Sequence, residues 1–228
     1  MDKTIALGSP PIEILLCRSA RARRYSLRVS NSDGRVRLTL PKGATETAAL
    51  DFAVRQEGWI RKALARQPLR STPGLATPVL FQGENVTIVA GKGRSVALKA
   101  GAIEIPGPPE AIPAKLRAFL KVEARTQLAA AADRYAGLLG RRIARISLRD
   151  TKSRWGSCTP EGNLMFSWRL IMAPPEVLQY VAAHEVAHLV EMNHSAAFWA
   201  VVARLKPGFE ADRRWLKKHG AELHRLQF

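Results

Sequence analysis

The residues His184-Glu185-Val186-Ala187-His188 decide how the second half of this chain is interpreted. Residues four apart lie on one face of an α-helix, so His184 and His188 can direct both imidazoles at one point. Glu185 lies beside that point, where its carboxylate can hold a water molecule. Two neutral imidazoles and an adjacent carboxylate supply what a catalytic zinc ion needs, namely ligands and a base for its water. The pattern therefore predicts one bound Zn²⁺ ion and a metal-assisted hydrolysis.

The residues before this pattern indicate that its helix is buried. The same two histidines could arise by chance on an amphipathic helix, as ordinary surface or core residues. The helix is apolar on more than one face, however, through Val177, Leu178, Tyr180, Val181, Ala182 and Ala183. Polar side chains in such a helix are costly unless they are paired or coordinated. Pro174 and Pro175 suit a first turn and predict that the helix starts there.

His194 is the candidate for the third metal ligand. On an unbroken helix it would point away from His184 and His188, so the helix has to end before it. Asn193 suits the left-handed conformation that closes many helices, which predicts an end at residues 191–193. Ser195 is then a good N-cap for a new helix over residues 196–205. We therefore expect His194 at a tight junction between two helices, turned back towards the metal.

Carboxylates on the last helix offer a different third ligand. That helix is expected over residues 210–224, and its candidates are Glu210, Asp212 and Glu222. Glu191, seven residues after His184 and so on nearly the same face, is a candidate to hydrogen-bond a ligand histidine, or an ordinary solvated residue. The sequence leaves these alternatives open beside the His194 arrangement.

Several segments of the second half resemble the YgjP-like metallopeptidase family. They are His184-Glu185-Val186-Ala187-His188, Met192-Asn193-His194-Ser195, Phe198-Trp199, Arg154-Trp155-Gly156-Ser157-Cys158 and Trp215-Leu216-Lys217-Lys218-His219-Gly220. The resemblance implies a small zincin-like fold, related to the SprT-like and M48-type groups. It also implies three histidine ligands and a glutamate base, matching His184, His188, His194 and Glu185. The substrate of the family is poorly defined, so the resemblance says more about the site than about the biology.

Composition places the chain among ordinary globular proteins. It has 228 residues, 46% of them hydrophobic and 24% charged. No apolar run approaches the roughly 20 residues that a membrane span requires, and the first residues lack the features of a signal peptide. The two cysteines, Cys17 and Cys158, are far apart and lack metal-ligand spacing. We expect a cytoplasmic protein with no membrane partner, in which Cys158 is a packing residue rather than a nucleophile.

The formal net charge of +17 is unusually high. Much of it lies in residues 18–37, in residues 141–154 and in the last helices. Such a field attracts polyanions, so a nucleic-acid partner is possible. No recognised nucleic-acid motif accompanies it, however, and basic solvated faces also serve solubility. We favour the solubility interpretation, and the oligomeric state stays open.

The chain as a whole reads as an α+β protein, and its first half as a β-rich region with one helix. Strands are expected over residues 12–16, 25–29 and 36–40 as a meander, with a turn at Asn31-Ser32-Asp33-Gly34. One helix is expected over residues 44–67, followed by a proline-rich linker or loop over 68–78 and a β-rich stretch over 79–105. Pro106-Gly107-Pro108-Pro109 is the strongest break in the sequence. We therefore expect a basic, mostly antiparallel N-terminal region, 1–108, and a zincin-like metallopeptidase domain, 109–228.

The second half begins with a long helix, expected over residues 112–139, and a strand over 142–149. Residues 155–158 and 163–168 flank a turn and predict a hairpin that leads directly into the His-Glu helix. An exposed strand edge beside the metal could pair with an extended peptide. That placement is a hypothesis drawn from the order of the elements.

We interpret the chain as a zinc metallopeptidase in which His184, His188 and His194 hold one zinc ion and Glu185 is the general base for its water. A peptide or protein is the expected substrate. Two other functions are considered: a zinc hydrolase of a non-peptide substrate such as a nucleotide phosphate, and a basic nucleic-acid-associated protein with a structural metal. An intact Glu185 argues against the last, because a structural site needs no base.

Overall fold

The computed structural model describes residues 3–30, 34–65 and 71–228. Contacts divide the chain into two compact units, Met1–Leu69 and Arg70–Phe228. The boundary expected at residue 108 thus falls inside the second unit, because the strands before the prolines share a core with the long helix after them. Both units combine helices with small sheets, so the expected α+β class is confirmed.

The first unit is a four-stranded sheet with two helices. Its elements are β1 (Lys3–Leu7), β2 (Ile12–Ser19), β3 (Ser26–Val29), β4 (Val36–Pro41), α1 (Glu46–Arg55) and α2 (Glu57–Ala65). The strand order is β1-β2-β4-β3, and β2 pairs with β4 in parallel. The expected meander is therefore wrong, although the expected strands are present. The expected turn residues 31–33 lie outside the described residues.

Alternating side chains explain how this sheet buries one face. Ile12, Ile14 and Leu16 of β2 are buried, and Leu38 and Leu40 of β4 are buried beside them. These residues form one apolar cluster with buried side chains of both helices. The helical segment is interrupted at residue 56, so it forms two helices where one was expected.

The second unit begins with another four-stranded sheet. Its strands are β5 (Pro78–Phe81), β6 (Glu84–Gly91), β7 (Ala97–Lys99) and β8 (Ala102–Pro106), in the order β5-β6-β8-β7. Only β6 and β8 run parallel among these pairs. The expected linker over residues 68–78 lies partly outside the described residues, and the part that is described leads into β5.

A long helix, α3 (Ile112–Leu138), forms the centre of the second core. Its residues Leu116, Leu120, Ala124 and Leu128 recur every four positions and are completely buried. A three-stranded sheet follows, made of β9 (Arg145–Arg149), β10 (Gly156–Cys158) and β11 (Asn163–Ser167). The order is β10-β11-β9, with an antiparallel β10–β11 hairpin as expected, so β10 is an edge strand.

The remaining elements are helical. They are a 3-10 segment (Trp168–Met172), α4 (Pro175–Ala187), α5 (Ala196–Leu205), α6 (Phe209–His219) and a second 3-10 segment (Gly220–His224). Helix α4 packs against α3, α5, α6 and β10, which explains its apolar character on all sides. Within the described ranges, none of the helices is both long and apolar enough to span a bilayer.

Candidate metal centre

Helix α4 brings the first two histidines together. Its N-terminus at Pro175 has proline in the first turn, as the sequence predicts. One turn separates His184 from His188, and their ring centroids are 5.2 Å apart. Both rings therefore face the same region at the C-terminal end of the helix.

The end of α4 differs from the sequence prediction. The helix stops at Ala187, with His188 as its C-cap, rather than at residues 191–193. The amide of Leu189 donates to the Val186 carbonyl, and the amide of Glu191 donates to the Ala187 carbonyl, so a hydrogen-bonded turn follows the helix. Asn193 is not left-handed: among the described residues other than glycine, only Ala76, Gln82 and Ala100 have a positive φ.

His194 nevertheless reaches the other two histidines. The Nε2 atoms of His194 and His184 are 3.0 Å apart. One nitrogen from each of His184, His188 and His194 can be chosen so that all lie within 4.8 Å of one another. His194 directly precedes Ser195, which caps α5 by accepting a hydrogen bond from the Phe198 amide at 3.3 Å.

Hydrogen bonding fixes the tautomer of His188. Its Nδ1 is 3.0 Å from the backbone carbonyl oxygen of Glu191. A carbonyl oxygen only accepts, so Nδ1 carries the proton and Nε2 is left with a lone pair to offer a metal. Glu191 thus does contact a histidine of the cluster, but through its main chain rather than through the carboxylate considered from the sequence.

Aromatic packing holds the three imidazoles. The ring centroid of Phe198, which is completely buried, lies 4.9 Å from His184, 4.5 Å from His188 and 4.7 Å from His194. Trp199 lies 5.7 Å from the His184 ring. Phe198 and Trp199 therefore pack around the cluster.

Burial favours the neutral form of the histidines. It lowers the pKa of His184 to about 3, and the neighbouring His188 and His194 add to the effect. Burial also lowers the pKa of His188, although its hydrogen bond to Glu191 acts in the opposite direction. Neutral imidazole is the form that binds a metal ion.

The donor set fits a zinc ion. Three imidazole nitrogens are ligands that zinc accepts, and tetrahedral ligands at a Zn–N distance of about 2.1 Å would lie roughly 3.4 Å apart. The 3.0 Å between the His184 and His194 nitrogens, with all three ligand atoms within 4.8 Å of one another, is compatible with that value. The histidines form the only group of three or more potential ligands found in the described part of the chain.

The carboxylates considered as other ligands are engaged elsewhere or lie outside the cluster. Asp212 is buried and pairs with Lys206 at 2.9 Å. A carboxylate oxygen of Glu222 is 2.9 Å from Nδ1 of His219. Glu210 is exposed on α6 and does not belong to the cluster.

Glu185 lies against strand β10. Its side chain is buried, with the residue only 6% exposed. A Cβ added at Gly156 would come within 2.6 Å of the Glu185 Cδ atom, so only glycine leaves room for the carboxylate. The role of Gly156 was not predicted from the sequence, although a glycine inside a strand is the signal that could have singled it out.

The environment of Glu185 favours its protonated form. Burial raises the pKa of the carboxyl group to about 8, and the positive charge of Arg154 opposes this shift. A buried carboxyl group with such a pKa is suited to exchange protons near neutral pH.

Cys158 and Tyr180 are less suited to chemistry. Burial raises the pKa of the Cys158 thiol to about 11, with further contributions from Glu185 and Glu161. A thiol with that pKa is a poor nucleophile at neutral pH. Burial also raises the pKa of Tyr180, whose ring stacks on Phe209 at 5.9 Å.

Arg213 is a neighbour of the site that the sequence analysis does not mention. Its guanidinium lies 4.6 Å from the centroid of the Trp199 ring. Its charge contributes to the lowered pKa of His184. Trp155, in contrast, packs on the C-terminal segment, with its ring 5.3 Å from His224.

Three clustered histidines with a buried carboxylate one residue away are typical of metal-dependent hydrolases. The sequence model of the family described as "YgjP-like, metallopeptidase domain" matches residues 23–219. The chain therefore belongs to the YgjP-like metallopeptidase family, and the resemblance seen in the sequence is confirmed.

A crystal structure of the metallopeptidase zymogen of Pyrococcus abyssi abylysin is similar to 44% of this chain and 99% of that chain, with 21% identity and a TM-score of 0.37. The comparison with curated proteins found no match.

Proposed function

We propose that this protein is a zinc-dependent peptidase in which His184, His188 and His194 hold one zinc ion and Glu185 is the general base. The observation that carries the proposal is the position of Glu185. It follows a histidine of the cluster directly, and its carboxylate is buried against the edge strand β10. A bound zinc ion would supply a Lewis acid that polarises a carbonyl and acidifies water.

Three residues around the histidines have proposed roles in hydrolysis. The Glu191 carbonyl keeps the proton of His188 on Nδ1, so that Nε2 can bind the ion. In its ionised form, which the charge of Arg154 favours against the effect of burial, Glu185 takes a proton from the attacking water on one carboxylate oxygen and can pass it to the leaving amine. Gly156 keeps the space in which that carboxylate lies.

Strand β10 is the proposed support for the substrate backbone. It is an edge strand, so one row of its backbone groups is available for pairing, and Gly156 within it lies against Glu185. An extended peptide added to this edge would bring its backbone past the carboxylate. This supports a peptide as substrate over a nucleotide phosphate.

Glu185→Gln tests the chemistry. It keeps the shape of the side chain and removes the base, so we expect hydrolysis of casein and of quenched peptides to fall by about 100-fold or more. Zinc content is expected to be unchanged, because the three histidines are intact. Undiminished turnover in this variant would contradict the role of Glu185. A nucleotide hydrolysis assay run beside it tests the alternative substrate class.

A cytoplasmic location and the nature of any macromolecular partner stay predictions. Cell fractionation checks the location. The binding of nucleic acid, suggested only by the charge of +17, is checked by measuring whether affinity for a DNA duplex persists at physiological salt.

A further inference from the structure

The small sheet β9–β11 has two chemically different faces. On the inner face, Gly156 is in register with Phe166, which is completely buried. On the outer face, Ser157 of β10, Met165 of β11 and Ser147 of β9 lie side by side across the three strands. Glu185 contacts the inner face at the edge strand, whereas the outer face carries two serines on either side of Met165.

A cavity of about 560 Å³ lies over the outer face. Its lining includes Ser147, Arg149, Thr151, Arg154, Ser157 and Thr159. The volume is within the range of sites that bind small molecules or single side chains. Hydroxyl groups and guanidinium groups are hydrogen-bond donors, so this lining is suited to an acceptor-rich group.

The charge of the cavity is positive. Asp150 is the acidic residue in the lining, and both of its carboxylate oxygens are bound by Arg169, at 2.6 and 3.1 Å. Arg149 and Arg154 have no ion pair with any described carboxylate. No carboxylate is therefore paired directly with either guanidinium, although the charge of Arg154 also acts on Glu185, in a chain whose net charge is already +17.

Arg149 and Arg154 both line this cavity, from the end of β9 and from the loop before β10. Arg149 is in register with Ser167, whose amide donates to the carbonyl of Trp155 at 2.8 Å. The Thr151 hydroxyl donates to the Arg154 carbonyl at 2.8 Å and closes the loop between them. A cavity lined by two arginines can bind one carboxylate by charge-assisted hydrogen bonds.

The cavity adjoins the position proposed for the substrate. A peptide strand added to β10 would share its faces, with each added residue facing the same way as its partner. A residue opposite Gly156 would face Glu185. The next residue, opposite Ser157, would direct its side chain into the cavity.

We propose that this cavity is a specificity subsite that binds an acidic side chain of the substrate, adjacent in sequence to the residue held against Gly156, through Arg149 and Arg154. The inference rests on the proposed peptidase function. The substrates it favours are extended peptides with Asp or Glu within two residues of the cleaved bond.

The test uses quenched peptides in which each position in turn is Asp, Asn or Lys. In the wild type we expect kcat/KM for Asp to exceed that for Asn by about tenfold at one position near the cleaved bond. In Arg149→Gln/Arg154→Gln this ratio should fall towards one, and Arg149→Glu should favour Lys instead. The matched control is Arg117→Gln/Lys121→Gln, which removes two exposed charges from α3 and should keep the ratio. Equal rates for Asp and Asn, or a ratio that persists in the double variant, would overturn the inference.

A binding measurement separates this inference from the proposed function. Fluorescence anisotropy with a labelled acidic peptide, its Asn counterpart and AMP is measured on wild type and Glu185→Gln. Arginine-dependent preference for the acidic peptide without any cleavage would support the subsite and refute the peptidase. Cleavage of neutral peptides that depends on Glu185, without a preference for acidic peptides, would support the peptidase and refute the subsite. AMP binding tighter than the acidic peptide would also overturn the subsite.

Discussion

The side chain of Glu185 fills the space beside Gly156 that any larger residue would need. A Cβ at Gly156 would lie 2.5 Å from Glu185 Cγ and 2.6 Å from Cδ, much closer than real Cβ contacts. This one relationship joins the edge strand proposed to hold the substrate to the carboxylate proposed to act as the base. A substitution at Gly156 therefore tests whether the position of the Glu185 carboxylate matters for activity.

Gly156→Ala is expected to lower kcat/KM by about 100-fold, because a displacement near 1 Å of a catalytic group has that effect. Zinc content should be unchanged, since the histidines belong to other segments. The measurement combines peptide kinetics with metal analysis. Gly137→Ala is the matched control: it lies in α3 with nothing within 4 Å of an added Cβ, so activity should be retained. Full activity in Gly156→Ala would contradict the claim that catalysis requires the observed position of the Glu185 carboxylate.

Cys158 is expected to react slowly with iodoacetamide. Its pKa of about 11, against an ordinary value of 9.0, makes the thiolate fraction about a hundredfold smaller at pH 7.5. Because the folded-state pKa is raised, the rate should increase about tenfold per pH unit until the pH approaches 11. Alkylation followed by mass spectrometry in a Cys17→Ser background checks this. Rapid alkylation at neutral pH would indicate an activated thiol, and loss of turnover in Cys158→Ser would indicate a nucleophile.

Arg169→Ala is expected to destabilise the second unit by about 3 kcal/mol. Arg169 is 7% exposed, binds both oxygens of Asp150, and donates from Nη1 to the carbonyls of Leu223 at 2.9 Å and Leu226 at 3.1 Å. Removing it leaves these acceptors without their donor. Urea unfolding measures the change.

The control for that change is Lys99→Ala, which breaks the exposed Lys99–Glu104 pair and should cost less than about 1 kcal/mol. An equally small effect for Arg169→Ala would mean that its buried contacts add little to stability.

Local patterns predict much of the second unit but not how its parts meet. Ser195 and the apolar residues after it predict α5 as it is found, because capping and periodicity act within one turn of the chain. The end of α4 is different. The Glu191 carbonyl lies 3.0 Å from Nδ1 of the His188 ring. The conformational preference of Asn193, from which the helix end was predicted, gives no information about that contact.

The pairing of strands could not be predicted from the sequence for a related reason. The alternation of Ile12, Ile14 and Leu16 determines which face of β2 is buried, but it is compatible with any neighbouring strand. The parallel pairing of β2 with β4 depends on contacts distant in sequence. The contact of Gly156 with Glu185 could not be predicted from the sequence either, because it depends on how strand β10 packs on helix α4.

The most direct test of the account is the zinc content of the wild type beside three variants, all purified without chelator. We predict about one zinc per chain for the wild type, a large loss in His194→Ala, and full retention in Asp212→Ala and Glu222→Ala, because the three imidazoles are the proposed ligands. The measurement is inductively coupled plasma mass spectrometry on protein of known concentration. A wild type without zinc, or His194→Ala that keeps it while a carboxylate variant loses it, would contradict the three-histidine centre.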